Sequence, residues 1–358
     1  MNLSEIVFVF VSVLVCHCFG SSTASSSLDY PLVNLSDANV MPQMGVGLGG
    51  RVKESSEQSL RTAQWALELG VRMIDTAAAY QNEEQVHEAI HASGIPRNEV
   101  FVCTKLDEEE HGFREAYEAL DEALEETLQM DYVDLFLIHS PDEGKVVETW
   151  DALIALREDG KAKSIGVSNF GIPHLEAIAH AGRPMPVVNQ MEMHPLIYAQ
   201  RKELVEYCAQ HDIRIMAFGS LFSGFAEFYN HPTLQNIAER ARKTVPQILL
   251  RWALDHGFVV IPTSSSSREH LQENYDILDF QLTSKELQQL DELGDPRNVG
   301  EDSEFSFAQF DAKSRYWNID NDEDDEEEVD IGDLDMARKV RQQWADEEEE
   351  EELNDDEL

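Results

Sequence analysis

Short apolar, β-branched runs recur between residues 45 and 300, and most are followed by a stretch whose apolar positions fall at helical spacing. The runs are GVGLG (45–49), VRMID (71–75), VFVCTK (100–105), VDLFLIH (133–139), KSIGVSN (163–169), PVVNQ (186–190), IRIMAF (213–218) and FVVIP (258–262). Phe113, Ala116, Tyr117, Leu120, Leu124 and Leu128 mark one intervening helix, and Leu204, Tyr207 and Cys208 mark another. No hairpin signal separates the later seven runs, so they are expected to lie parallel, joined by crossover helices. Eight such units in about 250 residues predict an α/β fold, the (β/α)8 or TIM barrel. The more polar stretch 28–44 is expected to form an N-terminal β-hairpin over the barrel floor.

One rival pattern is present. Gly45-Val-Gly47-Leu-Gly49-Gly50 has the spacing of a dinucleotide-binding glycine fingerprint, which would favour a doubly wound sheet. That fingerprint has to follow a strand, whereas the polar segment Asp37 to Pro42 precedes this one. The glycines are better read as the first barrel strand and its exit.

The 358 residues suffice for one large domain with appendages. Residues 6–19 (IVFVFVSVLVCHCF) are apolar but too few to span a bilayer, and the small residues GSSTASSS follow. Residues 1–20 are therefore expected to be a cleaved secretory signal peptide, with a membrane anchor as the alternative. Once the signal is cut, no membrane contact is expected. The barrel domain is assigned to 28–300 and an acidic low-complexity tail to 301–358. That tail holds 25 Asp or Glu and 5 Lys or Arg, and 5 − 25 gives −20, nearly half of the chain's net charge of −43. Runs such as NDEDDEEEVD cannot build a core and are expected to stay solvated and disordered, while MARKVRQQWA (336–345) has the pattern of a helix formed against a partner. The final DDEL (355–358) resembles a KDEL-type retrieval signal, with Asp355 in place of the basic residue. Together the two ends predict the endoplasmic reticulum lumen and a retrieval receptor as partner, secretion being the alternative. The acidic balance argues against nucleic acid. Cys103 and Cys208 alone remain outside the signal, so the fold must rest on its core rather than on disulfides. Asn34-Leu35-Ser36 is a glycosylation sequon, relevant only in a lumen.

The chemistry lies at the ends of the apolar runs. Asp75, Lys105 and His139 close the second, third and fourth runs, and Tyr80 follows Asp75 by five residues. In a parallel barrel all strand C-termini share one face, where active sites form, so these four side chains are expected to meet. A buried carboxylate needs a partner, and Lys105 supplies one for Asp75. A tyrosine hydroxyl, ordinarily with a pKa of about 10, is a poor proton donor near neutrality. A neighbouring ammonium favours phenolate and makes Tyr80 more acidic. His139 would hydrogen-bond a carbonyl oxygen, so the group is suited to protonating a developing alkoxide.

The same residues resemble the aldo-keto reductases. PQMGVGLG, MIDTAAAYQNEEQV, TKL, DYVDLFLIHSP, GKAKSIGVSNF, PVVNQMEMHP and IPTSSSSREHLQEN stand in that family's order over roughly residues 40–296. The resemblance implies a catalytic tetrad of Asp75, Tyr80, Lys105 and His139, with Tyr80 as proton donor. It implies hydride delivery from NADPH, with NADH possible, to a small-molecule carbonyl substrate by a monomeric enzyme. Ser168, Asn169 and Gln190 match the residues that hold the cofactor's carboxamide, and Phe218 matches an aromatic that stacks on the nicotinamide. Ser264, Ser265, Arg268, His270 and Asn274 fall in the adenosine-phosphate stretch.

This chain departs from the family in two regions. Thr263 replaces the usual lysine and His270 stands at the arginine position, with Arg268 two residues earlier as a substitute. Fewer cations weaken a 2′-phosphate contact, while serines at a helix start still offer hydrogen bonds. Gly50 and Ser140 replace larger pocket residues, which predicts a more open mouth, and the aromatic run 305–317 is expected to anchor the tail, closure of the pocket being the alternative. Glu192 and His194 are expected to support loops. No His/Cys cluster has metal-ligand spacing, and DNDEDDEEEVDI lacks the central glycine of a calcium loop. The competing reading is a catalytically inactive lumenal polyacidic scaffold and weak calcium buffer.

Overall fold

The structure, a computed structural model, describes residues 31–50, 55–141, 144–263 and 267–295. The expected leader, the acidic tail with its DDEL end, the aromatic run 305–317, and Ser264 and Ser265 lie outside the described residues. Strands β1 (Leu32–Asn34) and β2 (Val40–Pro42) pair antiparallel as a hairpin. Eight more follow: β3 (Val46–Gly47), β4 (Met73–Asp75), β5 (Phe101–Leu106), β6 (Val133–Ile138), β7 (Ala162–Ser168), β8 (Val188–Glu192), β9 (Arg214–Phe218) and β10 (Val259–Val260). They pair in parallel in chain order. Gly45 N–H donates to the Val260 carbonyl at 2.9 Å and Val260 N–H to the Gln43 carbonyl at 3.0 Å, joining the last barrel strand to the first. Every expected run supplies one barrel strand. The glycine-rich segment is β3 and its exit, so the doubly wound alternative falls.

Two apolar layers follow from the period-2 alternation of buried strands. Met73, Cys103, Leu135, Leu137, Met216 and Val259 point inward and fill the barrel, while Ile74, Val102, Phe136, Ile138 and Ile165 face the helices. The hairpin closes the bottom of the inner layer with Leu35 and Met41. It is held there by Asn39 Nδ2, which donates to the Lys163 carbonyl at 3.1 Å and the Ser164 hydroxyl at 3.0 Å, and by Arg214 Nε, which donates to the Asn34 carbonyl at 3.1 Å. Ser164 and Arg214 lie near the starts of β7 and β9, so the hairpin sits opposite the strand exits, as expected. Asn34 itself is exposed.

Local rules set the helix starts. Ser55 and Gln58 form a capping box before helix Ser56–Glu68, and Thr244 and Gln247 form another before helix Val245–Asp255, which carries Pro246 in its first turn. Two boundaries differ from the sequence reading. β8 lies two residues later than the run PVVNQ and includes Glu192, a carboxylate that stays in the strand because Ser223 bonds it. The helix expected over 113–128 is α-helical only through Glu122, then widens into a π turn at Ala123–Thr127, where the Thr127 hydroxyl reaches Glu83 at 3.1 Å.

Candidate active site

The C-terminal ends of β4 to β9 form one rim, and the expected side chains described there arrive at strand ends or in the loops that follow them. Asp75 is the last residue of β4, Lys105 the penultimate residue of β5, and His139 follows β6 directly. Tyr80 ends a single 3-10 turn, Ala78–Tyr80, in the loop after β4. Asp75 and Lys105 side chains are 3 % and 0 % exposed, and Lys105 Nζ donates to Asp75 Oδ1 at 2.8 Å. The same ammonium donates to the Thr76 carbonyl at 2.7 Å and to the Tyr80 hydroxyl at 3.4 Å, with Nζ 4.8 Å from the Tyr80 ring centre. The Tyr80 ring meets the His139 ring edge to face at 5.6 Å. All four tetrad candidates therefore share one site, and the carboxylate that ends an apolar strand has its partner.

Burial and charge set the protonation states. Burial opposes the charge on Lys105 most strongly, but the Asp75 carboxylate beside it, together with the neighbouring Tyr80 and Cys103, raises the lysine above its ordinary pKa, so it stays an ammonium. Burial, aided by the Lys105 charge, pushes His139 down to about 3, which keeps its imidazole neutral at physiological pH. A neutral imidazole offers one N–H to an acceptor. Gly49 lies against the phenol, since a Cβ there would lie 2.4 Å from the Tyr80 ring. Only glycine allows that close approach.

The expected cofactor residues occupy adjoining strands. Ser168 ends β7 and is buried, and Asn169 follows with φ 61°, a left-handed conformation that asparagine tolerates. Asn169 Nδ2 donates to the His139 carbonyl at 3.1 Å and the Ser168 hydroxyl at 3.2 Å, while its buried Oδ1 has no partner among the described residues. Such an orphan acceptor suits an amide N–H. Phe218 ends β9, half-buried on the same rim. Gln190 also reaches the tetrad. Its Nε2 donates to Asp75 Oδ2 at 2.8 Å, committing the amide nitrogen to the buried carboxylate. Ser168, Asn169 and Phe218 thus fit a nicotinamide carboxamide and ring, with Gln190 bracing Asp75 beneath.

The adenosine-phosphate candidates are more dispersed. Helix Arg268–Tyr275 is capped by Ser267, and Tyr275 donates to the Gly45 carbonyl at 2.9 Å, which ties the helix to the start of the barrel. Asn274 is buried, His270 is exposed, and Arg268 Nε lies 3.4 Å from Glu68 Oε2. Thr263 keeps a buried hydroxyl with no partner among the described residues. Glu192 accepts from the Ser223 hydroxyl and lies 3.6 Å from His194 Nε2, holding the turn after β9. Thr76 was not singled out by sequence, because its backbone carbonyl, which any residue carries, is what meets Lys105.

The aldo/keto reductase family matches residues 43–295. A 9,11-endoperoxide prostaglandin H2 reductase of Trypanosoma cruzi is 39 % identical over 280 residues, 78 % of this chain and 97 % of that protein. The methylglyoxal reductase DkgA of Escherichia coli is 39 % identical over 273 residues, 76 % of this chain and 96 % of that protein. Among solved structures, a Bombyx mori aldo-keto reductase in complex with NADP is 35 % identical, covers 74 % of this chain and 92 % of its own, and superposes with a TM-score of 0.67.

The state of His139 gives a stability prediction. Above pH 6.5 the imidazole is neutral whether folded or unfolded. Below it the unfolded chain takes up a proton that the folded chain refuses until about pH 3, so stability falls across that window, by about 5 kcal/mol in full. Denaturant midpoints of His139→Gln are expected to decline less than wild type between pH 6.5 and 4. Parallel declines would refute the neutral, buried imidazole.

Proposed function

We propose that this chain, which belongs to the aldo/keto reductase family, is an NADPH-dependent oxidoreductase that reduces small aldehydes and ketones to alcohols with Tyr80 as proton donor. The observation that carries the reading is the Lys105 ammonium, bonded to Asp75 at 2.8 Å and to the Tyr80 hydroxyl at 3.4 Å. Ser168, Asn169 and Phe218 would hold the nicotinamide, which supplies the hydride when bound. Tyr80 gives its phenolic proton to the carbonyl oxygen as negative charge develops there. Lys105 stabilises the phenolate left behind, and Asp75 holds Lys105 in place. His139, neutral, donates its N–H to the same oxygen and orients the carbonyl.

The named relatives are reductases, which gives the non-catalytic scaffold reading no support. A methylglyoxal reductase at 39 % identity favours short, polar carbonyl compounds, consistent with Gly50 and Ser140 at the expected mouth. NADPH is favoured because Arg268 remains near the phosphate stretch; the loss of the lysine and arginine leaves room for NADH. The compartment follows the chain ends: residues 6–19 support secretory translocation, and DDEL supports receptor retrieval.

Methylglyoxal and an aromatic aldehyde are expected to drive loss of NADPH absorbance. Tyr80→Phe is expected to lower kcat by about 10²- to 10⁴-fold while leaving NADPH binding intact. A Tyr80→Phe enzyme that turns over normally would refute the assignment, and tighter use of NADH would refute the cofactor preference. Removing residues 355–358 is expected to move the protein from microsomes to the medium; an unchanged distribution would refute retrieval.

A further inference from the structure

Asn82 immediately precedes helix Glu83–Ser93, where an asparagine ordinarily caps the helix by accepting a backbone N–H. It makes no capping bond. Its side chain is 4 % exposed and used elsewhere. Oδ1 accepts from the Thr76 hydroxyl at 2.5 Å, and Nδ2 donates to the Leu48 carbonyl at 3.2 Å and the Ser59 hydroxyl at 3.1 Å. Thr76 is fully buried. Its N–H donates to the Cys103 carbonyl at 2.9 Å, and its own carbonyl accepts from Lys105 at 2.7 Å.

These bonds have two geometric consequences. The Thr76–Asn82 bond joins the two ends of the loop that carries Tyr80, which turns sharply through a left-handed Gln81 (φ 56°). The Asn82–Leu48 bond ties that loop to the exit of β3, beside Gly49, on which the Tyr80 ring rests. One neutral amide thereby locates both the carbonyl that holds Lys105 and the seat of Tyr80.

We propose that Asn82 and Thr76 are positioning residues for proton donation, setting the separation of Lys105 and Tyr80 from outside the tetrad. The inference rests on Tyr80 being the proton donor. The titratable groups facing Lys105 are Asp75, Tyr80, Cys103, Glu83 and His139. Thr76 and Asn82 carry no charge, so a titration that moves when they are replaced reports geometry rather than a changed field.

Thr76→Val keeps shape and loses the hydroxyl. It is expected to lower kcat for carbonyl reduction about tenfold, the size of one displaced buried hydrogen bond, with both KM values unchanged. A Lys105 farther from Tyr80 leaves the phenol a weaker acid, so the loss of reductase rate at alkaline pH moves to higher pH. Thr76→Ser restores the hydroxyl and is expected to recover most of both effects. Asn82→Leu, which removes no helix cap, is expected to repeat the Val result and serves if Thr76→Val does not fold. Wild-type kcat in the Val variant, or a lower melting temperature with an unmoved alkaline limb, overturns the proposal. Those outcomes alongside an inactive Tyr80→Phe sink only the positioning role; an active Tyr80→Phe sinks the proton-donor reading beneath it.

Discussion

A single buried ion pair, Asp75 with Lys105, governs the rim of this barrel. Removing two charges from water costs several kcal/mol per ion, which their attraction repays only with good geometry and additional hydrogen bonds. Here the second carboxylate oxygen takes the Gln190 amide, and the ammonium takes the Thr76 carbonyl and the Tyr80 hydroxyl. Losing either charged partner alone would leave the other stranded, at about 3–5 kcal/mol. Apolar side chains of similar volume would serve stability as well. What they would lack is an ammionium-type charge held beside a phenol, which is the property the proposed chemistry uses.

The parallel barrel makes that arrangement possible. Parallel pairing sends every strand exit to one rim, so five consecutive strands, β4 to β8, each deliver a polar residue to one place and β9 adds Phe218. The opposite end is free of that duty and is sealed by the hairpin's Leu35 and Met41. Packing at the floor and polar chemistry at the rim are thus separated along the barrel axis. The rim side chains hold one another through Asn169 on the His139 carbonyl, Gln190 on Asp75 and Glu192 on Ser223.

Much of this was legible in the sequence. Eight apolar runs with helical intervals are enough to propose the barrel, and the ionisable residues closing three of them place the tetrad, because strand polarity leaves no freedom over where the exits lie. Other features depend on three-dimensional partners. Glu192 looked like a residue beyond a strand, yet it lies inside β8 because Ser223, 31 residues away, neutralises the cost of its burial. Gln190 matched a cofactor contact, and only the structure shows that its amide nitrogen also holds Asp75, 115 residues earlier. Asn82 before Glu83-Glu84 has the pattern of a helix cap, and only the position of Leu48 and Ser59 shows its amide used sideways. Arg268 carries the expected charge, but a nearby Glu68 on another helix shares it.

The central claim is that Lys105 makes the Tyr80 phenol acidic, and ultraviolet titration of tyrosinate tests it most directly. The difference between wild type and Tyr80→Phe isolates Tyr80. Its ionisation is expected at lower pH than that of an ordinary tyrosine, near 10, and is expected to move upward when Lys105→Met removes the ammonium. Ionisation at or above 10 in wild type, unaltered by Lys105→Met, would contradict the account.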